Sequence, residues 1–201
     1  MKKIILSLAA VLAFSAANAQ DKKESKGFGF SEGNIFVGGL VSYSSEKNDN
    51  GTTSVTTSGY EISPEVGYFL TDNFALTAGL SLGNTDNGTT KTNTFGLNVG
   101  GRYYFLNMGE RFKTYTNFGF GIGSDDNGGS PADKTNTFEI GGGLGINYFV
   151  TPNLAIDFRL ANVISYSTEK TGDAKTNTLE LEANVFKNFF DTPSFGLIYK
   201  F

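Results

Sequence analysis

The sequence predicts an all-β chain: an eight-stranded antiparallel up-and-down transmembrane β-barrel, with short turns at one end and longer polar loops at the other. Three observations carry that prediction. First, Lys-Thr-Asn-Thr occurs at Lys91, Lys134 and Lys175, each copy running into apolar/polar alternation, and a looser copy begins at Thr57. The copies lie roughly 35 to 43 residues apart, the length of two strands and their connections, so the repeating unit is a hairpin. Second, the connections alternate between tight and long. Third, each apolar stretch lasts about nine to eleven residues, which is what a tilted strand needs to cross a bilayer.

The strands follow in order. Asn34–Ser44 carries Ile35, Val37, Val41 and Tyr43 on one face. Ser58–Leu70 sets Tyr60, Ile62, Val66, Tyr68 and Leu70 against Glu61, Ser63, Glu65 and Gly67. Phe74–Gly83, Thr94–Phe105 and Lys113–Gly123 repeat the pattern, the fourth strand with Arg102 on its polar face. Thr137–Val150 places Glu139 among inward glycines, and Leu154–Tyr166 places Asp157 and Arg159 on the polar face. The 24 residues Thr178–Phe201 are too many for one simple strand. A closed barrel with both ends on one side needs an even strand number. We therefore read 178–186 as the outer part of the eighth strand, Lys187–Pro193 as a bulge or loop, and Phe195–Phe201 as its membrane part.

Alternation alone does not say which face meets water. A soluble barrel would turn its apolar face inward. The connections favour the opposite. Thr71-Asp-Asn73, Thr151-Pro-Asn153 and Leu106–Arg111 are short, whereas 45–57, 84–93, 124–136 and 167–177 are polar and long. Aromatics gather at the short-turn ends: Tyr68, Phe69, Phe74, Tyr103, Tyr104, Phe105, Tyr148 and Phe149. That is the expected girdle at a membrane interface.

Composition narrows the chemistry. The 201 residues hold no Cys, no His and no Trp, but 26 Gly, 19 Phe and 9 Tyr. A disulfide scaffold, a Cys/His zinc site and a thiol nucleophile are excluded. The commonest general base and every Ser-His or Cys-His pair are missing as well. Gly119-Phe-Gly-Ile-Gly123 and Gly141-Gly-Gly-Leu-Gly145 lack the Lys-Ser/Thr of a phosphate loop and read as inward glycines on curved strands. Asp49-Asn-Gly51, Asp86-Asn-Gly88 and Asp125-Asp-Asn-Gly128 lack a calcium loop's spacing and terminal Glu, and read as turns. No catalytic, cofactor-binding or metal-ligating set is expected, and no cofactor.

Residues 1–19 read as a cleavable signal peptide rather than fold. Lys2 and Lys3 precede a short apolar run, and Ala17-Asn-Ala19 is an A-x-A site with Gln20 as the new first residue. Cleavage removes two of the 16 basic residues against 20 acidic ones, deepening the net charge from −4 to −6. Nucleic acid is a poor partner for such a chain. Residues 20–32 read as a flexible lead-in and 33–201 as the barrel domain.

An eight-stranded barrel is just wide enough for side chains to fill its interior. Glu61, Glu65, Arg102, Glu139, Asp157 and Arg159 all face inward in this reading, so the carboxylates pair with the arginines, and with Lys113 or Lys200 as further candidates. The bland reading is a salt-bridged plug. The sharper one is a gated narrow pore.

The chain ends Ser194-Phe-Gly-Leu-Ile-Tyr-Lys-Phe201. Ser194, Gly196, Tyr199 and Phe201 resemble, position by position, the C-terminal assembly signal of bacterial outer-membrane barrels. From about residue 33 on, the chain resembles small eight-stranded barrels of the OmpA/OmpX type. More narrowly, it is similar to the Bacteroidota porin-family proteins described as the outer membrane protein β-barrel domain. The resemblance implies short periplasmic turns, extracellular loops and an integral place in a Gram-negative outer membrane. It implies outer-membrane lipids and lipopolysaccharide as surroundings, with periplasmic chaperones and the barrel-assembly machinery as partners in biogenesis, and a monomer. The enzymes known among such barrels depend on a catalytic His, which this chain lacks. The function implied is a non-enzymatic envelope barrel presenting polar loops. A small porin, or an OmpW-like conduit for small hydrophobic molecules, is the alternative, and a secreted soluble binding barrel the third reading.

Overall fold

The computed structural model of the chain describes residues 27–49, 54–128, 134–182 and 194–201. The expected signal segment with Ala17, Ala19 and Gln20, the start of the lead-in and the expected irregularity Lys187–Pro193 lie outside the described residues.

Nine strand segments build a closed eight-position barrel. They are β1 (Ile35–Asp49), β2 (Ser54–Thr71), β3 (Phe74–Asp86), β4 (Lys91–Met108), β5 (Phe112–Asp126), β6 (Thr135–Phe149), β7 (Leu154–Thr171), β8 (Ala174–Leu181) and β9 (Ser194–Lys200). Every neighbouring pair is antiparallel and the ring closes through β6–β7 and β1–β9. The eighth position is shared. β8 pairs with Ile164–Thr171 of β7, and β9 pairs lower down with Leu154–Arg159. The sequence reading of a two-part eighth strand ending in Phe195–Phe201 agrees with this arrangement. On β7 the step from Ile164 to Arg159 takes five residues, whereas their partners Leu181 and Ser194 stand thirteen apart.

The strands are longer than their apolar stretches. The polar runs expected as loops, including the Lys-Thr-Asn of all three Lys-Thr-Asn-Thr copies, mostly continue the hydrogen-bonded ladders. The physical reason is that apolar alternation lasts only as long as one face meets lipid. Beyond it both faces are polar, yet the backbone groups still pair, and threonine favours a strand. The connections themselves are small. Gly88, Gly128 and Gly172 hold φ of 81°, 70° and 56°, a left-handed conformation that glycine adopts at no steric cost. The Asp86 and Asp126 carboxylates accept the Gly88 and Gly128 amides at 2.8 and 3.0 Å, so these Asp-Asn-Gly stretches are turns. At the other end, Thr71 and Thr151 each accept two backbone amides through the hydroxyl, closing both tight turns in the same way.

Large apolar side chains point outward and are exposed: Ile62, Leu76, Leu97, Phe120, Ile140 and Leu197, among others. The buried core lies inside the barrel, toward the tight turns: Phe36, Phe69, Ala75, Tyr104, Tyr115 and Ile198. Three of the eight aromatics read as an interface girdle therefore face the lumen. Phe69, Tyr104 and Phe149 are buried, while their chain neighbours Tyr68 and Tyr103 are exposed. Successive side chains on a strand point to opposite faces, so an adjacent aromatic pair cannot put both rings in lipid. The barrel also carries a second aromatic level. Tyr43, Tyr60, Phe95, Phe138 and Tyr166 are exposed near the loop end and close the apolar band there.

Candidate functional site: a charge cluster across the lumen

Strand alternation turns Glu65 of β2, Arg102 of β4, and Asp157 and Arg159 of β7 to the same inner level, although Glu65 and Arg159 stand far apart in sequence. Glu65 bridges the two arginines: Arg102 donates to Oε1 at 2.6 Å and Arg159 to Oε2 at 3.1 Å. Asp157 Oδ1 accepts Tyr115 O–H at 2.7 Å and the Asn147 amide at 2.8 Å, while Arg159 Nε donates to Oδ2 at 3.2 Å. Tyr104 completes the network, its hydroxyl donating to Asn147 Oδ1 at 2.6 Å. Arg102 and Asp157 are 1% and 2% exposed, so this side of the cluster is removed from water, while Arg159 borders the cavity above. Two arginines against two carboxylates leave it neutral, which is what permits its burial.

Aromatic rings hold the cluster in place. The Arg102 guanidinium lies 4.2 Å from the Tyr115 ring centroid and 5.2 Å from that of Phe36. A planar cation between two ring faces gains quadrupole attraction where hydration is lost. Those rings fit because glycines stand opposite them: a Cβ on Gly67 would strike the Phe36 ring, and one on Gly145 the Tyr115 ring. Arg102 Nε and Nη1 are buried and make no hydrogen bond.

Toward the tight turns the lumen is filled by the chain preceding β1. Residues 27–32, expected within a flexible lead-in, are packed into this mouth. Phe30 stacks on Phe69 at 4.3 Å between centroids and meets Tyr104 at 5.0 Å and Phe149 at 5.1 Å. These are the inward members of the three aromatic pairs, and together they form a socket for Phe30. Lys200 Nζ donates to the Gly29 and Gly27 carbonyls at 2.7 and 3.4 Å, and Arg111 covers the Phe28 ring at 4.5 Å. Glu32 N–H is held by Asp72 at 2.8 Å. A sequence signal existed, since Phe28 and Phe30 are apolar residues in an otherwise polar lead-in, but nothing there names their socket.

Toward the loops, above the charge cluster, lies a cavity of about 580 Å³. It exists because inward positions of β5 and β6 are small: Gly119, Gly121, Gly123 and Gly141. Glu61 and Glu139 line it, with Asp125 and Glu169. The six inward charges named from sequence thus divide. Four assemble into the cluster, and Glu61 and Glu139 stand in the cavity above. Glu61 accepts the Ser63 hydroxyl at 2.7 Å. Among the described residues no group of His, Cys, Asp and Glu is arranged to hold a metal ion.

The C-terminal motif sits in β9 and just beyond it. Tyr199 faces outward, its ring 4.9 Å from that of Phe201, while Ile198 and Lys200 face the lumen. Gly196 pairs with Leu40 of β1 and Asp157 of β7, so the motif forms the closing seam of the barrel.

The chain matches the family described as "Outer membrane protein beta-barrel domain" over residues 6–185. No curated protein matches it. Among solved structures it is similar to the outer membrane protein OprG from Pseudomonas aeruginosa, with 14% identity, 86% of this chain and 98% of that one covered, and a TM-score of 0.48. The Escherichia coli outer membrane protein W gives 14% identity, 85% and 99% coverage, and a TM-score of 0.46. The attachment invasion locus protein Ail of Yersinia pestis gives 16% identity, 85% and 99% coverage, and a TM-score of 0.44.

Proposed function

The chain belongs to the outer membrane protein β-barrel domain family, and from that premise we infer that it is a non-enzymatic envelope barrel with a closed lumen. It is exported by its N-terminal signal into a Gram-negative outer membrane, with the tight turns in the periplasm and the long hairpins outside. Its work is done on its outward-facing and extracellular surfaces. One observation carries this reading: the buried Arg102–Glu65–Arg159–Asp157 cluster and the Phe30 plug lie one above the other across the lumen. Such a pair of barriers stiffens a barrel and narrows the lumen at two levels. The test is conductance of the refolded mature chain in a planar lipid bilayer. An inserted but electrically silent protein is expected. Discrete steps from the unmodified chain would overturn the closed-lumen reading.

A second reading is favoured by the cavity above the cluster. It reaches Arg102 and Arg159 from the loop side. A rearrangement of the ion pairs, together with release of Phe30, would join it to the periplasm as a narrow conduit.

A further inference from the structure

The ring of strands closes in its turn-end half, and toward the loops the closing seam forks. β1 is zipped to β9 from Phe36 to Leu40, and β9 to β7 from Leu154 to Arg159. Above that level β1 continues from Val41 to Asp49 with a ladder to β2 alone, and β8 has a ladder to β7 alone. Among the described residues no ladder joins β8 to β1. The fork has a cause in β7. Its register against β6 shifts twice, between Arg159 and Ala161 and between Asn162 and Ile164. A bulge bends the strand that holds it, so the upper half of β7 carries β8 off the line of β9.

Two free sheet edges result. The Ile35 carbonyl accepts Phe201 N–H on the β9 side. Backbone groups alternate sides along a strand, so the N–H and C=O of Val41, Tyr43, Ser45 and Lys47 face the open edge. Glu182 N–H donates to the Val163 carbonyl on the β7 side, so on β8 the groups of Leu181, Leu179, Asn177 and Lys175 face the opening. The same residues turn their side chains outward. Val41, Tyr43, Leu179 and Leu181 are 64% to 74% exposed, whereas no other large apolar side chain described exceeds 58%. Tyr43 stands opposite Tyr60 and Leu179 opposite Tyr166, in the aromatic level that ends the apolar band. Both edges therefore descend into lipid, where an unpaired N–H or C=O finds no water to satisfy it.

We propose that a second copy of this chain fills the opening, each copy's β1 edge pairing with the other's β8 edge in a two-fold dimer. The proposal rests on the envelope-barrel reading above and replaces the monomer that family resemblance implies. Direction and depth select the partner. β1 runs toward the loops and β8 away from them, so the occupant must offer an antiparallel strand to each, at lipid depth, with apolar residues outside and polar ones inside. A single peptide strand between them would lie parallel to one of the two. A second barrel in the same membrane has the required pair. Rotation by 180° about the membrane normal brings its β8 to this β1 and its β1 to this β8, an isologous interface with two identical seams. Matching depth sets Val41 against Leu181, Tyr43 against Leu179 and Ser45 against Asn177, residues whose free backbone groups then face each other. The inward residues follow, Ser42 against Glu180 and Ser44 against Thr178. Lys47 meets Lys175, with Asp49, 3.9 Å from Lys47, on the diagonal.

The chain has no Cys, so an introduced disulfide has a single assignment. The test mixes Ser44→Cys and Thr178→Cys chains carrying different mass tags, refolds them together into lipid bilayers and oxidises them. Opposed Cα atoms in a non-hydrogen-bonded pair stand about 4.5 Å apart, within disulfide reach. The linked heterodimer is expected as the main product, and little of it from Asn93→Cys mixed with Thr178→Cys, whose strands are not opposed. Ser45→Pro/Asn177→Pro removes donors that face only the opening and leaves the ladders to β2 and β7 whole. It is expected to weaken dimerisation, read by native mass spectrometry, on the order of tenfold or more, while the folded barrel keeps its heat-sensitive band shift. Ser45→Ala/Asn177→Ala keeps the donors and the dimer, and Lys47→Glu, facing Lys175 across the seam, strengthens it. A folded, inserted barrel that stays monomeric would overturn the proposal, and is the result if residues 183–193 occupy the opening. So would undiminished dimerisation of the Pro variant. So would a Ser44→Cys/Thr178→Cys double variant that links only within one chain, because its two edges would then close on each other. A chain that does not insert at all overturns the envelope reading beneath it.

Discussion

At the scale of single residues, Glu65 decides the state of the lumen. It accepts a hydrogen bond from each arginine, and removing its charge leaves the fully buried Arg102 guanidinium with only Asp157, 3.9 Å away, opposite it. Breaking a buried ion cluster by deleting one partner costs about 3 to 5 kcal/mol, whereas replacing the whole set with apolar groups is often close to neutral. Glu65→Gln is therefore expected to lower the unfolding free energy by about that amount, read from urea titration of the band shift between folded and heat-denatured barrel. Adding Arg102→Met to Glu65→Leu should recover most of the loss. A Glu65→Gln protein as stable as the parent would mean that the cluster is hydrated and contributes little. Glycine matters at one further position. Gly145 faces the Tyr115 ring so closely that a Cβ cannot be added without moving it. Gly145→Val is expected to cost about 1 to 3 kcal/mol, and Tyr115→Ala in the same chain should relieve the steric part.

At the scale of elements, the eight-position barrel and its two-part last strand were legible in the sequence because lipid writes a strong period of two. Inward and outward sets follow from parity, and parity correctly put Glu65, Arg102, Asp157 and Arg159 on one face. The strand ends were not legible. Lys134 to Asn136 reads as loop because neither face is apolar, yet Thr135 and Asn136 pair with Thr171 and Lys170. The Phe30 socket was hidden for another reason. Three aromatic pairs on β2, β4 and β6 each send one ring inward, and only the closed ring of strands brings those rings together. The extended strands predict a pattern of hydrogen exchange. Amides in the ladders at Thr92–Thr94, Thr135–Thr137 and Thr176–Thr178 should exchange slowly, near the rate of the membrane-level strands, with Asn87–Thr89 fast. Uniformly fast exchange through the Lys-Thr-Asn-Thr copies would return them to the loops.

At the scale of the whole molecule, the barrel is a stack: an aromatic plug at the turn end, a neutral charge cluster above it, and an acidic cavity opening toward the loops. The order has an electrical consequence. The cluster's charges cancel, so the field of the open half is set by Glu61, Asp125, Glu139 and Glu169. A cleft lined by one sign of charge between low-dielectric walls concentrates the opposite ion. Opening the lower barriers should therefore give a cation-selective path. The Phe30→Ala/Arg102→Ala pair removes the ring from its socket and the guanidinium from the cross-section. Under a KCl gradient its current is expected to reverse near the potassium equilibrium potential, and Glu61→Gln/Glu139→Gln on that background should move the reversal toward zero. High salt on both sides should weaken the selectivity, because the Debye length falls to about 3 Å at 1 M. An anion-selective current would mean that Arg159 dominates the path. A silent double variant would show that the closure extends beyond Phe30 and Arg102, into the remaining Tyr104, Tyr115 and Asn147 network that bridges β4, β5 and β6.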